Sequence, residues 1–384
     1  MKIGIFTDSY LPYTSGVVKS IEVFTRELTD MGHDVYIFAP SYPKCAKENR
    51  VFRFASLPAP TNPGYTLAIP FSIRLKPVIR NLKLDIIHVH SPFLLGRLGA
   101  KYAKRLGIPL VFTFHTLYDQ YVHYVPLGQE ITREITRRLC RDFCNGCDMV
   151  ITPTGIIAKH LEELGVNARV ETIPTGIEVE KFINSNPGWL RQKYNIDREK
   201  KILLFVGRLG VEKNIHFLLE AFKEIHHRSA DSCLVLVGGG PEEEKLKKQA
   251  KVSGLTEKII FTGKMPWQDV VNCYVGADIF VFASVTETQG LVIGEAKAAG
   301  LPVVAVKAFG VSEMVEDGKD GFLTGEDRDE FVEKIALLLK DRLLREKMSL
   351  KARENAWHIS SRGTAKKLAD CYRSLLEWKK SASG

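Results

Sequence analysis

Short, fully apolar runs alternate with helical patterns along almost the whole chain, and the rhythm breaks only once. Runs at Lys2–Asp8, Asp34–Ala39, Asp85–His90, Leu110–Phe114 and Met149–Thr152 read as strands buried on both faces. Between the first two, Val17, Ile21, Phe24, Leu28 and Met31 recur at helical spacing, and Gly32 follows as a C-terminal cap. A second series runs through Lys201–Val206, Ser232–Gly238, Ile259–Thr262, Asp278–Ala283 and Pro302–Val306. The segment 174–188, rich in Pro, Gly and Asn, separates the two series. Parallel strands need crossover connections, so each series predicts an α/β domain with a parallel sheet and right-handed crossovers. A chain of 384 residues has room for two such domains, expected at 1–178 and 179–360. A terminal helix within 361–384 is expected to pack back on the first. Two such halves would bind ligand in a cleft at the carboxyl ends of their strands.

Two glutamates eight residues apart, Glu287 and Glu295, follow the fourth strand of the second series. Glu287 falls in the turn and Glu295 about one turn inside the next helix. Between them Gly290, Leu291 and Val292 offer backbone N–H groups at a helix N-terminus, which suits a phosphate. One carboxylate can then hold hydroxyls of a sugar and the other those of a ribose, the pattern of a sugar nucleotide. An ordinary helix start with exposed acids is the plainer alternative. A second anion site upstream favours the former: a buried strand opens at Gly207, and Arg208 and Lys213 follow. Arg supplies a planar fork of donors and Lys a point charge, so the two segments together predict a diphosphate clamp.

Positive charge is concentrated between Lys44 and Arg141, where sixteen Lys and Arg face five Asp and Glu. Within that region Arg74, Lys76, Arg80 and Lys83 interleave with bulky apolar residues. Such a segment can lie on an anionic membrane; a solvated helix face is the alternative. Nucleic acid is not expected, since Phe71 is the one aromatic there and no nucleic-acid module is recognisable. No apolar run approaches a membrane span. The stretch Met1–Asp8 reads as a first strand rather than a leader. Seven cysteines, an odd number, predict free thiols and a reducing cytoplasm. Cys140, Cys144 and Cys147 match an iron–sulfur spacing, but they share one helical face and lack a fourth ligand nearby, so core packing is expected. Asp327 and Asp329 resemble a metal motif but are better explained by helix capping at Asp327. Gly238-Gly-Gly-Pro241 lacks the full dinucleotide fingerprint and reads as a turn. No metal site and no cofactor are expected.

These motifs carry a resemblance. The Glu287/Glu295 pair, the Gly207–Asn214 segment and Tyr10-Leu-Pro-Tyr-Thr-Ser-Gly-Val-Val18 together resemble retaining glycosyltransferases of family 4. That family has the GT-B fold of two Rossmann-like domains, and the likeness covers essentially the whole chain. It implies that Arg208 and Lys213 bind the donor diphosphate, Glu287 the transferred sugar and Glu295 the ribose. It places the nucleobase at the turn Gly263-Lys264-Met265. It also puts Gly16, in the loop after the first strand, near the diphosphate, and His115 at the reacting centre. A narrower likeness lies in His115–Tyr124, which is similar to bacterial diacylglycerol glucosyltransferases. It implies that Tyr118, Tyr121, His123 and Tyr124 line the acceptor side, an aromatic core stripe being the alternative.

The resemblance implies transfer of a hexose, glucose from UDP-glucose, to the 3-hydroxyl of 1,2-diacylglycerol with an α-linkage. The expected route is metal-independent same-face attack, with Arg208, Lys213 and the helix N-terminus stabilising the departing UDP. The partners implied are a nucleotide sugar, a lipid acceptor and the anionic inner face of the cell membrane. GDP-mannose as donor and phosphatidylinositol or a soluble sugar as acceptor stay open. So does a sugar-nucleotide epimerase, since fold does not settle function. A silent sugar-nucleotide sensor is disfavoured because none of the expected groups is missing. Oligomeric state is not legible.

Overall fold

The computed structural model describes residues 1–43, 45, 48–59, 64–118 and 129–381. The chain divides into two compact units, Met1–Gly176 with Ser361–Gly384, and Ile177–Ser360. The first holds β1 (Lys2–Phe6), β2 (Asp34–Pro40), β3 (Val51–Phe54), β4 (Ser56–Pro58), β5 (Thr66–Ala68), β6 (Ile86–Val89), β7 (Leu110–Thr113), β8 (Met149–Thr152) and β9 (Val170–Thr172). Seven of these form one sheet in the order β3-β2-β1-β6-β7-β8-β9, parallel throughout. The order reverses direction between β1 and β6, the kind of switch point where ligands bind in such sheets.

The inner strands are buried on both faces, which is why they are apolar runs rather than alternating ones. Helix Gly16–Asp30 covers one face through Val18, Ile21, Phe24 and Leu28. The long helix Ser361–Ser381 joins that core through Ala365, Leu368, Ala369, Tyr372 and Leu375. It is tied at its start by the Ser361 hydroxyl, which donates to Glu27 (2.7 Å), and near its end by the Lys379–Asp148 ion pair (3.1 Å).

The second unit holds β10 (Lys201–Val206), β11 (Ser232–Val237), β12 (Ile259–Gly263), β13 (Ile279–Phe282), β14 (Val303–Val306) and β15 (Gly321–Thr324). They form a parallel sheet in the order β12-β11-β10-β13-β14-β15, again reversing beside its first strand. A buried ion pair fastens this unit. The Lys297 ammonium lies 2.6 Å from Asp320, which is fully buried and also accepts from Asn355 (2.7 Å).

Two expectations need correction, the missed strands and the placing of Gly16, and the basic segment gains definite bounds. The sequence reading has no strand at β3, β9 or β15 and no β4–β5 hairpin; all are short, and the first two are only partly buried. The basic segment is helical only over Leu75–Asn81, so Arg74 precedes the helix and Lys83, at φ 51°, lies beyond it. Gly16 is the first residue of a helix rather than part of a loop, because Ser15 caps that helix, its hydroxyl accepting from Val18 N–H (3.3 Å). Cys140, Cys144 and Cys147 are buried thiols outside any disulfide, and burial raises the pKa of Cys144, to about 12, and that of Cys147. Asp327 caps helix Arg328–Lys340 by accepting from Glu330 N–H (2.8 Å).

Candidate functional site

Strand order decides which turns meet in the second unit. β10 lies between β11 and β13, so the segments leaving these three parallel strands gather at the carboxyl end of the sheet. Gly207 N–H donates to Val237 (2.9 Å) and Gly238 N–H to Gly263 (3.1 Å), stitching the turns after β10, β11 and β12 together. A Cβ on Gly238 would stand 2.0 Å from the Gly207 carbonyl oxygen, so only glycine permits this approach. Arg208 projects exposed from the end of β10. Lys213 ends a single 3-10 turn, Val211–Lys213.

Across from it, the turn after β13 carries Glu287. Its carboxylate pairs with the Lys213 ammonium, and both side chains are less than one-fifth exposed (19% and 18%). The Ser284 hydroxyl lies 2.9 Å from the same carboxylate oxygen and 3.0 Å from the Glu212 carbonyl. Gly310 N–H donates to the Glu287 carbonyl (3.0 Å), which fixes the turn. Helix Leu291–Ala298 then starts from Gly290, whose φ of 82° is left-handed and which has no side chain of its own to cap it. The N–H groups of Leu291 and Val292 lie in the first turn, where a helix presents donors that its own backbone does not use.

Glu295 lies one turn inside this helix and is buried, with the Tyr274 hydroxyl donating to it at 2.9 Å. Burial and that carboxylate push the Tyr274 phenol well above its ordinary pKa. In the turn after β12, Gly263 has φ 69°, Lys264 is exposed and Met265 is half-buried, its sulfur 3.8 Å from the Cys273 thiol. The chemistry available here is anion binding by Arg208, Lys213 and a helix N-terminus, with two carboxylates able to accept from hydroxyls.

The first unit places His115 just after β7, with its Nε2 2.8 Å from His90 Nδ1. His90 stacks on His115 (5.0 Å between centroids) and lies tilted against His88 at 4.3 Å, and His88 is held by Tyr372 (2.5 Å) and Thr113 (2.7 Å). Burial lowers the pKa of His88 and of His115 to about 3, and that of His90 falls well below its usual value. All three are neutral at pH 7, and they form no metal-ligating group among the described residues. Nearby, Asp8 accepts from the Ser91 hydroxyl and from Leu95 N–H (2.7 Å), capping helix Leu94–Leu106. Tyr118 packs edge-on against Phe93 (5.1 Å) and Phe114 (5.9 Å). Tyr121, His123 and Tyr124 lie outside the described residues.

Sequence reasoning did not single out Ser284, Tyr274, His88, His90 or Tyr372. His88 and His90 carried a usable signal, since residues two apart on a strand share a face. Arg74, Lys76, Arg80 and Lys83 are all exposed. Just before them, Leu57, Leu67, Ile69, Phe71 and Ile73 are exposed as well, the last two at 70% and 76%. Leu57 and Leu67 are register partners in the β4–β5 hairpin. Among the described residues no helix is long and apolar enough to cross a membrane.

Residues 14–181 match Glycosyltransferase Family 4 and residues 189–355 match Glycosyl transferases group 1. The chain is 35% identical to an alpha-monoglucosyldiacylglycerol synthase of Streptococcus pneumoniae, covering 84% of this chain and 75% of that protein. It is 33% identical to the enzyme of the same name from Acholeplasma laidlawii, covering 86% of each. Among solved structures, Anabaena HepE in complex with UDP-glucose superposes with a TM-score of 0.77 at 20% identity, over 97% of this chain and all (100%) of that one.

Proposed function

The chain belongs to glycosyltransferase family 4 and is a hexosyltransferase of GT-B fold, and we propose that it moves glucose from UDP-glucose to the 3-hydroxyl of 1,2-diacylglycerol with retention. The observation that carries the donor half is the meeting of Lys213, Glu287 and the glycine-led start of helix Leu291–Ala298 at the carboxyl ends of β10 and β13. Arg208 and Lys213 take the diphosphate, Gly290, Leu291 and Val292 add backbone donors, and Glu287 accepts from sugar hydroxyls. Glu295, steadied by Tyr274, takes the ribose, and the Gly263–Met265 turn meets the base.

In the reaction the acceptor oxygen bonds to the anomeric carbon as the bond from that carbon to the diphosphate oxygen breaks. The acceptor proton passes to the departing phosphate oxygen. Charge grows on UDP in the transition state, and fixed cations and N–H dipoles lower the barrier because they are already oriented. No divalent metal is required in this scheme. His115, neutral through burial, serves as a hydrogen-bonding group rather than as a base. Acceptor recognition falls to the first unit, with Tyr118 among its aromatic groups. The exposed Leu57, Leu67, Ile69, Phe71 and Ile73 and the cations Arg74, Lys76, Arg80 and Lys83 seat that unit on the anionic inner face of the cell membrane. The similarity to alpha-monoglucosyldiacylglycerol synthases supports the lipid acceptor.

The test is a transfer assay with labelled UDP-glucose and diacylglycerol in anionic vesicles, with GDP-mannose, soluble sugars and acceptor-free reactions in parallel. Labelled α-glucosyl lipid, formed equally with a chelator present, is expected. Transfer only to soluble sugars discards the lipid assignment, and isomerised UDP-sugar without acceptor points to an epimerase.

A further inference from the structure

The proposed donor site carries an arrangement that the binding roles alone do not require: its cation and its acid hold each other. Lys213 comes from the turn after β10 and Glu287 from the turn after β13, and their side chains form an ion pair. The pair is braced on the acid side by Ser284 (2.9 Å) and by Gly310 N–H on the Glu287 carbonyl (3.0 Å). Both side chains are largely shielded, so neither charge is well solvated when the other leaves. A diphosphate that takes Lys213 therefore competes with Glu287 for that ammonium and draws its charge away from the acid. A ligand with sugar hydroxyls beyond its phosphates gives Glu287 new partners. A ligand that ends in its phosphates does not.

We infer that Glu287 is a specificity-determining competitor for Lys213, weakening the binding of the bare nucleoside diphosphate relative to the sugar nucleotide. This rests on the donor-site reading above. After transfer the sugar is gone from the donor, Glu287 loses its hydroxyl partners, and it re-pairs with Lys213. The product is expelled by the same acid that held the substrate. The physical content is a difference of affinities: the cost of stripping Glu287 of its cation falls on UDP in full and on UDP-glucose only in part.

The experiment is calorimetric titration of the full chain with UDP and with UDP-glucose, without acceptor. Glu287→Gln removes the competing charge but keeps an amide that can bond hydroxyls. It should tighten UDP about ten-fold, the scale of one charge-assisted contact. It should not tighten UDP-glucose comparably, so discrimination between the two falls. Simple repulsion between Glu287 and phosphate predicts tightening too, and Lys213→Gln separates the two causes. In the Lys213→Gln background, Glu287→Gln should tighten UDP by much less than ten-fold, since only residual repulsion is then removed. Persistence of the full gain there overturns the inference, as does UDP binding equally to wild type and Glu287→Gln. Failure of wild type to bind either nucleotide overturns the donor-site reading itself and the inference with it.

Discussion

Tyr274→Phe is the sharpest structural test of the donor side, because it deletes one oxygen and little else. The Tyr274 ring is fully buried, edge-on to Phe182 (5.9 Å between centroids) and tilted against Phe280 (5.8 Å). Phenylalanine keeps those contacts, so no cavity term of consequence enters. What is lost is the hydrogen bond to Glu295 Oε2, at 2.9 Å, from a carboxylate only 6% exposed. A hydrogen bond to a charged group is worth about 1.5–3 kcal/mol, and the buried carboxylate oxygen has little water to replace it. The second unit should therefore lose about 2 kcal/mol of stability. Denaturant unfolding followed by circular dichroism reads this as a lower midpoint with unchanged slope for that unit's transition. If Glu295 also holds the ribose, a less firmly oriented carboxylate raises the KM for the sugar nucleotide more than it lowers kcat. A variant within about 0.5 kcal/mol of wild type would refute the argument, since a change that small is typical of neutral surface positions.

Lys297→Met should cost about 3 kcal/mol in the same assay, because Asp320 is fully buried and would lose its counter-charge while keeping only hydrogen bonds from Asn355 and the backbone. His88 and His115, depressed to about 3 from 6.5, bind protons in the unfolded chain before they do in the folded one. The first unit should thus hold its full stability above about pH 6.5 and lose it progressively as pH falls towards 3, by up to about 1.4 kcal/mol per pH unit for each histidine. His88→Gln should flatten that pH dependence; an identical slope would contradict the assignment. Replacing Arg74, Lys76, Arg80 and Lys83 with Gln should weaken partitioning to anionic vesicles at least about a hundredfold, at roughly 1 kcal/mol per cation, and abolish its salt sensitivity. Phe71→Ser with Ile73→Ser should weaken binding to neutral vesicles as well, and unchanged flotation would discard this surface.

The inner strands were legible because burial on both faces leaves a signature that no loop imitates: β8 and β10 are apolar almost to the residue. That signature fails at sheet edges. β3 reads Val-Phe-Arg-Phe and β9 Val-Glu-Thr, each with a single neighbour and a part-exposed face, so their side chains answer to solvent as much as to the core. The site shows the same limit at greater range. Lys213 and Glu287 are separately visible as charges after strands, but their pairing spans 74 residues and depends on β13 lying beside β10 rather than beside β12. Strand order is a property of how crossovers pack, and local periodicity does not carry it. The Tyr372–His88 contact is more remote still, at 284 residues, and exists because the terminal helix returns to the first unit. Chemistry that a single turn presents can therefore be read from sequence. Chemistry that arises from two turns holding each other, as in the Lys213–Glu287 pair, needs the sheet.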